Sequence, residues 1–200
     1  MKPAETGCRR EGALLYAEDG ALLGAACRPP LAHDVVAPLR YAPPVAPSVA
    51  AALEGPPFSI APTHAALAAA TARGATFAIV EGAGGLLVPY DDTLLGADVA
   101  AALGFPLLVV ARAQLGTINH TLLTLAEARH RGLAVAGVVL VLHTRERAPD
   151  VATNAAQIER HAHGVRVIGA VPWIPPSDRR DPARLAAAVE GALDVAALLG

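Results

Sequence analysis

A doubly wound α/β fold with a mostly parallel sheet is what this 200-residue sequence predicts, and three observations carry the prediction. Runs of β-branched and apolar residues at 76–80, 106–111, 135–142 and 165–171 are nearly uninterrupted, as strands buried on both faces of a parallel sheet are. Stretches with helical patterning at 96–103, 117–131 and 150–162 lie between those runs, and strands alternating with helices imply crossover connections. A glycine-rich loop, Glu81 followed by Gly82, Ala83, Gly84 and Gly85, comes directly after the run Thr76 to Val80. That places it at a strand's carboxyl end, where open α/β sheets bind ligands.

The first half is less regular. Asp19 to Cys27 reads as a helix and Val35 to Leu39 as a short edge strand. Pro43, Pro44 and Pro47 make a rigid connection, because each fixes its own φ, and 48–54 and 62–73 are then helical. Residues 181–198 close the chain as a helix opened by Asp181 and Pro182, with proline in the first turn where its missing N–H costs nothing. No repeat or linker interrupts the pattern, so residues 1–200 are expected to form a single domain.

Composition excludes several classes of function. A net charge of −2 gives no electrostatic case for a nucleic-acid partner. Hydrophobic residues make up 54%, but much of that is alanine broken by Pro, Gly or charge, and no membrane span is expected. Lys2, Glu5, Arg9, Arg10 and Glu11 occupy the start without an apolar run, so no signal peptide is visible. Cys8 and Cys27 lack metal-ligand spacing and read as reduced thiols, which fits a cytoplasmic protein.

Glu81 offers a carboxylate at a strand end, which suits a hard cation. Mg²⁺ takes one or two carboxylates together with nucleotide phosphates. The glycines at 82, 84 and 85 let backbone N–H groups approach an anion without a Cβ in the way. Asp19 beside Gly20 reads most simply as a helix N-cap. Gly116 to Asn119 opens a helix, whose N-terminal N–H groups and dipole suit a carboxylate; Thr117 as a plain cap is the alternative. His161 and His163 look metal-like only in spacing, and with no acidic or cysteine cluster beside them they read as surface histidines.

The string Val80 to Pro89 closely resembles the signature loop of the dethiobiotin synthetase family, and other segments match in the family's order. Lys2 to Cys8 is similar to its second-strand motif Lys-Pro-Val-x-Ser/Thr-Gly. Arg40, Tyr41, Pro44, Pro47, Glu54 and Gly55 resemble its proline-rich connection, Leu115 to Thr124 its helix-start motif, and Gly169 to Trp173 a late strand end. The resemblance covers most of residues 1–175 and implies a P-loop NTPase-type fold. It implies an ATP-dependent ligase of biotin biosynthesis that closes a ureido ring on 7,8-diaminopelargonate with CO₂, using Mg²⁺ and working as a homodimer.

Carried over position by position, the resemblance makes Lys2 the catalytic lysine and Thr6 a substrate contact. It makes Asp19 and Glu81 the Mg²⁺ ligands. It places Gly116, Thr117, Ile118 and Asn119 on the substrate carboxylate from a partner subunit. Asp19, Glu81, Gly82, Ala83, Gly84, Val171, Pro172, Trp173 and Asp178 are implied to line the nucleotide, with Trp173 offering stacking surface.

Two departures stand out. Lys2 is the sole lysine, and no Gly-x-x-x-x-Gly-Lys-Ser/Thr loop occurs, although the family carries one upstream of its Lys-Pro motif. The expectation is therefore a fold lacking its first strand and helix, with the true start upstream, and strand edges left exposed. Val141 and Leu142 stand where the family has an Asn-Asp-like pair on the base. Two other readings remain open on these grounds: a related amidoligase of the cobyrinate-synthase kind, and a catalytically inactive binding or regulatory protein.

Overall fold

The computed structural model of the protein describes residues 1–145 and 151–195. It divides into two compact units, Met1–Leu103 and Gly104–Gly200.

The first unit is built on strand β1 (Ala4–Thr6), which pairs in parallel with β4 (Leu39–Tyr41). Between them lie a hairpin, β2 (Arg9–Glu11) with β3 (Leu14–Tyr16), and helices α1 (Glu18–Ala26) and α2 (His33–Val36). The hairpin was not legible in the sequence, because its three-residue strands are too short to show a period. The expected edge strand at Val35–Leu39 is corrected. Its first half is the single helical turn α2, and pairing begins only at Leu39. Gly20 and Gly24 let α1 approach the α2 region closely, since a Cβ on Gly20 would sit 2.8 Å from that of Ala37. Helices α3 (Pro47–Glu54), α4 (Ala61–Ala72) and α5 (Gly96–Leu103) follow, close to their expected bounds. The core of this unit gathers Ala4, Tyr41, Ala50, Phe58, Tyr90 and Val99.

The expected strand at 76–80 is also corrected. The run forms no strand, because a ladder needs a partner along its length and among the described residues only Met1 supplies one. The Met1 amine donates to the Ile79 carbonyl at 2.7 Å, and the Glu81 N–H donates to the Met1 carbonyl at 2.9 Å. Phe77 and Ile79 are left 61% and 69% exposed, so this margin of the unit is apolar.

The second unit is the regular one. Strands β5 (Leu107–Arg112), β6 (Val135–Val141) and β7 (Val167–Val171) form a parallel sheet in that order. Helices α6 (Thr117–His130) and α7 (Val151–His161) pack on one face, where Leu125 and Ile158 meet Val138 and Leu140. Helix α8 (Pro182–Glu190) covers the other, with Val189 and Leu193 against Val139, Ile168 and Val171. Val138, Val139 and Leu140 are all buried, which is why the β6 run is continuously apolar rather than alternating. β5 is an edge strand, with Leu108 and Val110 exposed. Asp181 caps α8 as expected, accepting from the Ala183 and Arg184 N–H groups. The helix stops at Glu190, short of the expected 198, and Leu193 turns back to bridge Gly169; residues 196–198 lie outside the described residues.

Candidate functional site

Residues from three distant parts of the first unit meet at Lys2. The Lys2 N–H donates to the Val36 carbonyl at 2.8 Å, while Met1 bonds to Ile79 and Glu81, so the backbone of residues 1–2 is held between those segments. Lys2 therefore precedes the paired strand β1, and its side chain is buried between neighbours. Its Nζ donates to Asp19 Oδ2 at 2.5 Å and to Glu81 Oε1 at 3.0 Å. Burial alone works to lower the Lys2 pKa, but the bonds and charges of Asp19 and Glu81 outweigh it, and the pKa is raised above the ordinary lysine value. The ammonium stays charged at neutral pH.

Asp19 is not the cap expected for α1. It is the second residue of the helix, and Ala17 occupies the N-cap without a side-chain bond. The free N–H groups of the first turn are met instead by Glu5 of β1. Glu5 is only 4% exposed and accepts from the Asp19 N–H at 2.9 Å and the Gly20 N–H at 2.8 Å. The sequence reading missed Glu5, because a lone carboxylate in a short strand signals nothing until the helix it caps is placed.

Glu81 leads into the glycine loop. Gly84 has φ +79°, a conformation that L side chains rarely adopt, so the loop turns there on glycine. The Ala83 N–H, expected to face a nucleotide, donates to Tyr90 Oη at 2.6 Å. The Tyr90 ring lies in the core, edge-on to Phe58 at 4.6 Å between centroids, and so anchors the loop to packed structure. Tyr90 was also missed. A buried tyrosine generally finds a partner for its hydroxyl, which is the signal that could have found it. Thr6 ends β1 opposite Tyr41 in the ladder.

Asp19 and Glu81 thus converge on one cationic position, yet their side chains remain 56% and 53% exposed. That chemistry fits Mg²⁺, which uses one or two carboxylates and fills its remaining positions with water and phosphate oxygens. A closed cage would not fit it so well, and among the described residues no group of three or more His, Cys, Asp or Glu is placed to form one. His161 ends α7 and His163 lies beyond it at φ 51°, in no such group.

The second unit carries the other expected positions at the carboxyl ends of its parallel strands. After β5, Gly116 takes φ +93° at the N-cap, and α6 starts at Thr117. Thr117 is not a cap. Among the described residues its buried hydroxyl has no hydrogen-bond partner, and neither has that of Thr121 one turn on. Both line an open groove of about 300 Å³ with Val110, Arg112, Gln114 and His120. Ile118 packs against the core of this unit. After β7, Trp173 carries the Arg145 guanidinium over its ring at 5.2 Å, so this expected stacking surface already has a cation on it. Asp178 accepts from Arg184 at 2.7 Å and from the Ser177 hydroxyl at 2.9 Å. Val141 and Leu142 are half-buried and pack against the two cores of this unit, and the Leu142 N–H donates to the Val171 carbonyl.

Comparison with known proteins points the same way as the motifs. A family model described as an AAA domain matches residues 1–181. An ATP-dependent dethiobiotin synthetase of Anaeromyxobacter sp. (strain K) is 48% identical over 77% of this chain and 67% of its own length. That of Anaeromyxobacter dehalogenans (strain 2CP-1) is 48% identical over 74% and 65%. That of Bacillus subtilis (strain 168) is 36% identical over 77% and 66%. The matched segment spans about two thirds of these curated relatives. The match extends through both units and includes the Lys2, Asp19 and Glu81 segments: the chain belongs to the dethiobiotin synthetase family of P-loop α/β proteins.

Proposed function

We propose that this protein is an ATP-dependent ligase that closes the ureido ring of dethiobiotin. CO₂ adds to one amine of 7,8-diaminopelargonate to give a carbamate. ATP phosphorylates the carbamate oxygen, and the second amine then attacks the carbonyl carbon and displaces phosphate. The observation that carries this reading is the Lys2 ammonium, held charged between two half-exposed carboxylates inside the family's own motifs. Phosphoryl transfer is catalysed chiefly by positioning and charge, and Lys2 supplies a fixed positive charge for the carbamate and the transferring phosphoryl. Asp19 and Glu81 would hold Mg²⁺, which when bound neutralises phosphate charge. Gly82 and Gly84 give the nucleotide backbone to approach. Ala83 shapes that loop through Tyr90.

Gly116, Thr117, Ile118 and Asn119 suit the substrate carboxylate at the start of α6, supported by the unpartnered hydroxyl of Thr117. Thr6 is assigned to substrate contact, and Val171, Pro172, Trp173 and Asp178 to the nucleotide. The protein is proposed to act as a cytoplasmic homodimer, and residues 1–200 as one P-loop-type domain made of the two units. No helix among the described residues is long and apolar enough to cross a membrane.

One observation favours a second reading, a binding protein without catalysis: Val141 and Leu142 offer an adenine apolar surface instead of side-chain hydrogen bonds. A single assay separates the two. The full-length gene product is given 7,8-diaminopelargonate, bicarbonate and Mg-ATP, and ADP and dethiobiotin are measured. Ligase activity predicts equal amounts of both products. Lys2→Ala should then lower kcat far more than it alters the KM for ATP, since its charge acts on the transition state. No diaminopelargonate-dependent ADP release would overturn the ligase reading.

A further inference from the structure

We propose that Glu5 is a positioning residue for the cation site: it fixes the start of α1 so that the Asp19 carboxylate meets the metal. The proposal rests on the reading of Asp19 and Glu81 as metal ligands. Glu5 is buried, and both of its carboxylate oxygens are committed, one to the Asp19 N–H and the other to the Gly20 N–H. Two bonds from adjacent amides to one carboxylate define an orientation, where a single bond would leave a pivot. No salt bridge to Glu5 is made among the described residues, so its charge is met by those amides and by the positive end of the helix.

A cap serving stability alone needs no such arrangement. Helix α8 is capped by Asp181, its own neighbouring residue. Helix α1 carries Ala17 at that position and takes its cap from β1, three residues after Lys2. The cap therefore joins the backbone bearing Asp19 to the backbone bearing Lys2. Gly20 also packs so closely on Ala37 that even a Cβ added there would come within 2.8 Å of the Ala37 methyl. Groups that orient metal ligands in this way commonly change metal affinity or activity by about 10- to 100-fold when removed.

The test is Mn²⁺ binding to the purified protein, followed by electron paramagnetic resonance as a probe of the Mg²⁺ site. The variants are Glu5→Gln, Glu5→Ala, Asp19→Asn as a ligand benchmark and Asp181→Ala as a cap that serves only stability. Glu5→Gln keeps one acceptor, and should weaken Mn²⁺ binding by about tenfold, with Glu5→Ala weaker still. Asp181→Ala should lower the melting temperature and leave Mn²⁺ binding unchanged. In the unaltered protein, Mg²⁺ should slow hydrogen exchange at the Asp19 and Gly20 amides, which checks the coupling without any variant. If Glu5→Gln binds Mn²⁺ like the parent while Asp19→Asn does not, or if Mg²⁺ leaves those amides unaffected, Glu5 is a structural cap only. If the parent and Asp19→Asn bind alike, the carboxylate pair is not a metal site and this proposal falls with it.

Discussion

Replacing Lys2 by methionine keeps most of the apolar stem of the side chain, one atom shorter, and removes the charge between the two carboxylates. In the protein, Asp19 Oδ2 and Glu81 Oε1 lie 2.5 and 3.0 Å from Nζ, so the two oxygens are at most about 5.5 Å apart. Two negative charges at that separation repel by about 3 kcal/mol at an effective dielectric of 20, and by less than about 1 kcal/mol in water. Both side chains are more than half exposed, so the screened end of that range applies, and Lys2→Met should destabilise the protein by about 1 kcal/mol. For a chain of this size that is a fall in Tm of roughly 2–4 °C.

Mg²⁺ should then stabilise the variant more than the parent, where it must displace an ammonium from the same oxygens. At a concentration tenfold above Kd, binding contributes about 1.4 kcal/mol, enough to recover the loss. Thermal melts in Mg²⁺ and in NaCl of matched ionic strength separate specific binding from screening. Equal Tm values, or the same Mg²⁺ response in both proteins, would refute the view that Lys2 neutralises this pair.

Two further outcomes follow from neighbouring groups. Tyr90→Phe keeps the ring in the core but removes the acceptor of the Ala83 N–H, and should cost about 1–2 kcal/mol in denaturant unfolding. It should also speed hydrogen exchange at Ala83; an unchanged rate would show that the loop is not held through Tyr90. Burial, with a smaller contribution from the Glu5 charge, pushes the Cys8 thiol from 9.0 up to about 11. The fold thus favours the neutral thiol, so this contribution to stability is complete below pH 9 and is lost as pH rises toward 11. Alkylation of native Cys8 should stay slow until pH approaches 11, and rapid reaction at pH 9 would contradict the assigned environment.

The second unit was readable from sequence because its central strand β6 is covered on both faces. β6 is buried on each side, which makes its run long and apolar, and α6 and α7 precede and follow it with ordinary spacing. The first unit was harder. Its strands are three residues long, too short for any period, and 35–39 is split between a helical turn and a loop before pairing begins. The run at 76–80 carried the right residues for a strand, but pairing depends on what lies alongside, and among the described residues only Met1 does. For the candidate site, motif residues were legible and their supports were not. Lys2, Asp19 and Glu81 could be named from resemblance, whereas Glu5 and Tyr90 act on backbone amides of residues far away in sequence, and such bonds leave no pattern to read.

The charges gathered around Lys2 bear on the order in which ligands would bind. One ammonium and two carboxylates sum to a single negative charge, an unfavourable surface for ATP polyphosphate. A divalent cation shared by Asp19 and Glu81 would reverse that sign and release the Lys2 ammonium from its two partners to face phosphate. The same carboxylates that hold Lys2 in place before binding would then hold the metal. Lys2 would be exchanged from a structural ion pair to a catalytic one without moving its backbone, which remains bonded to Val36. On the proposed reading, a site built this way would favour nucleotide arriving as its magnesium complex over nucleotide alone. It also makes the rigidity of the α1 start and of the glycine loop necessary, because both carboxylates must keep their places while their partner changes.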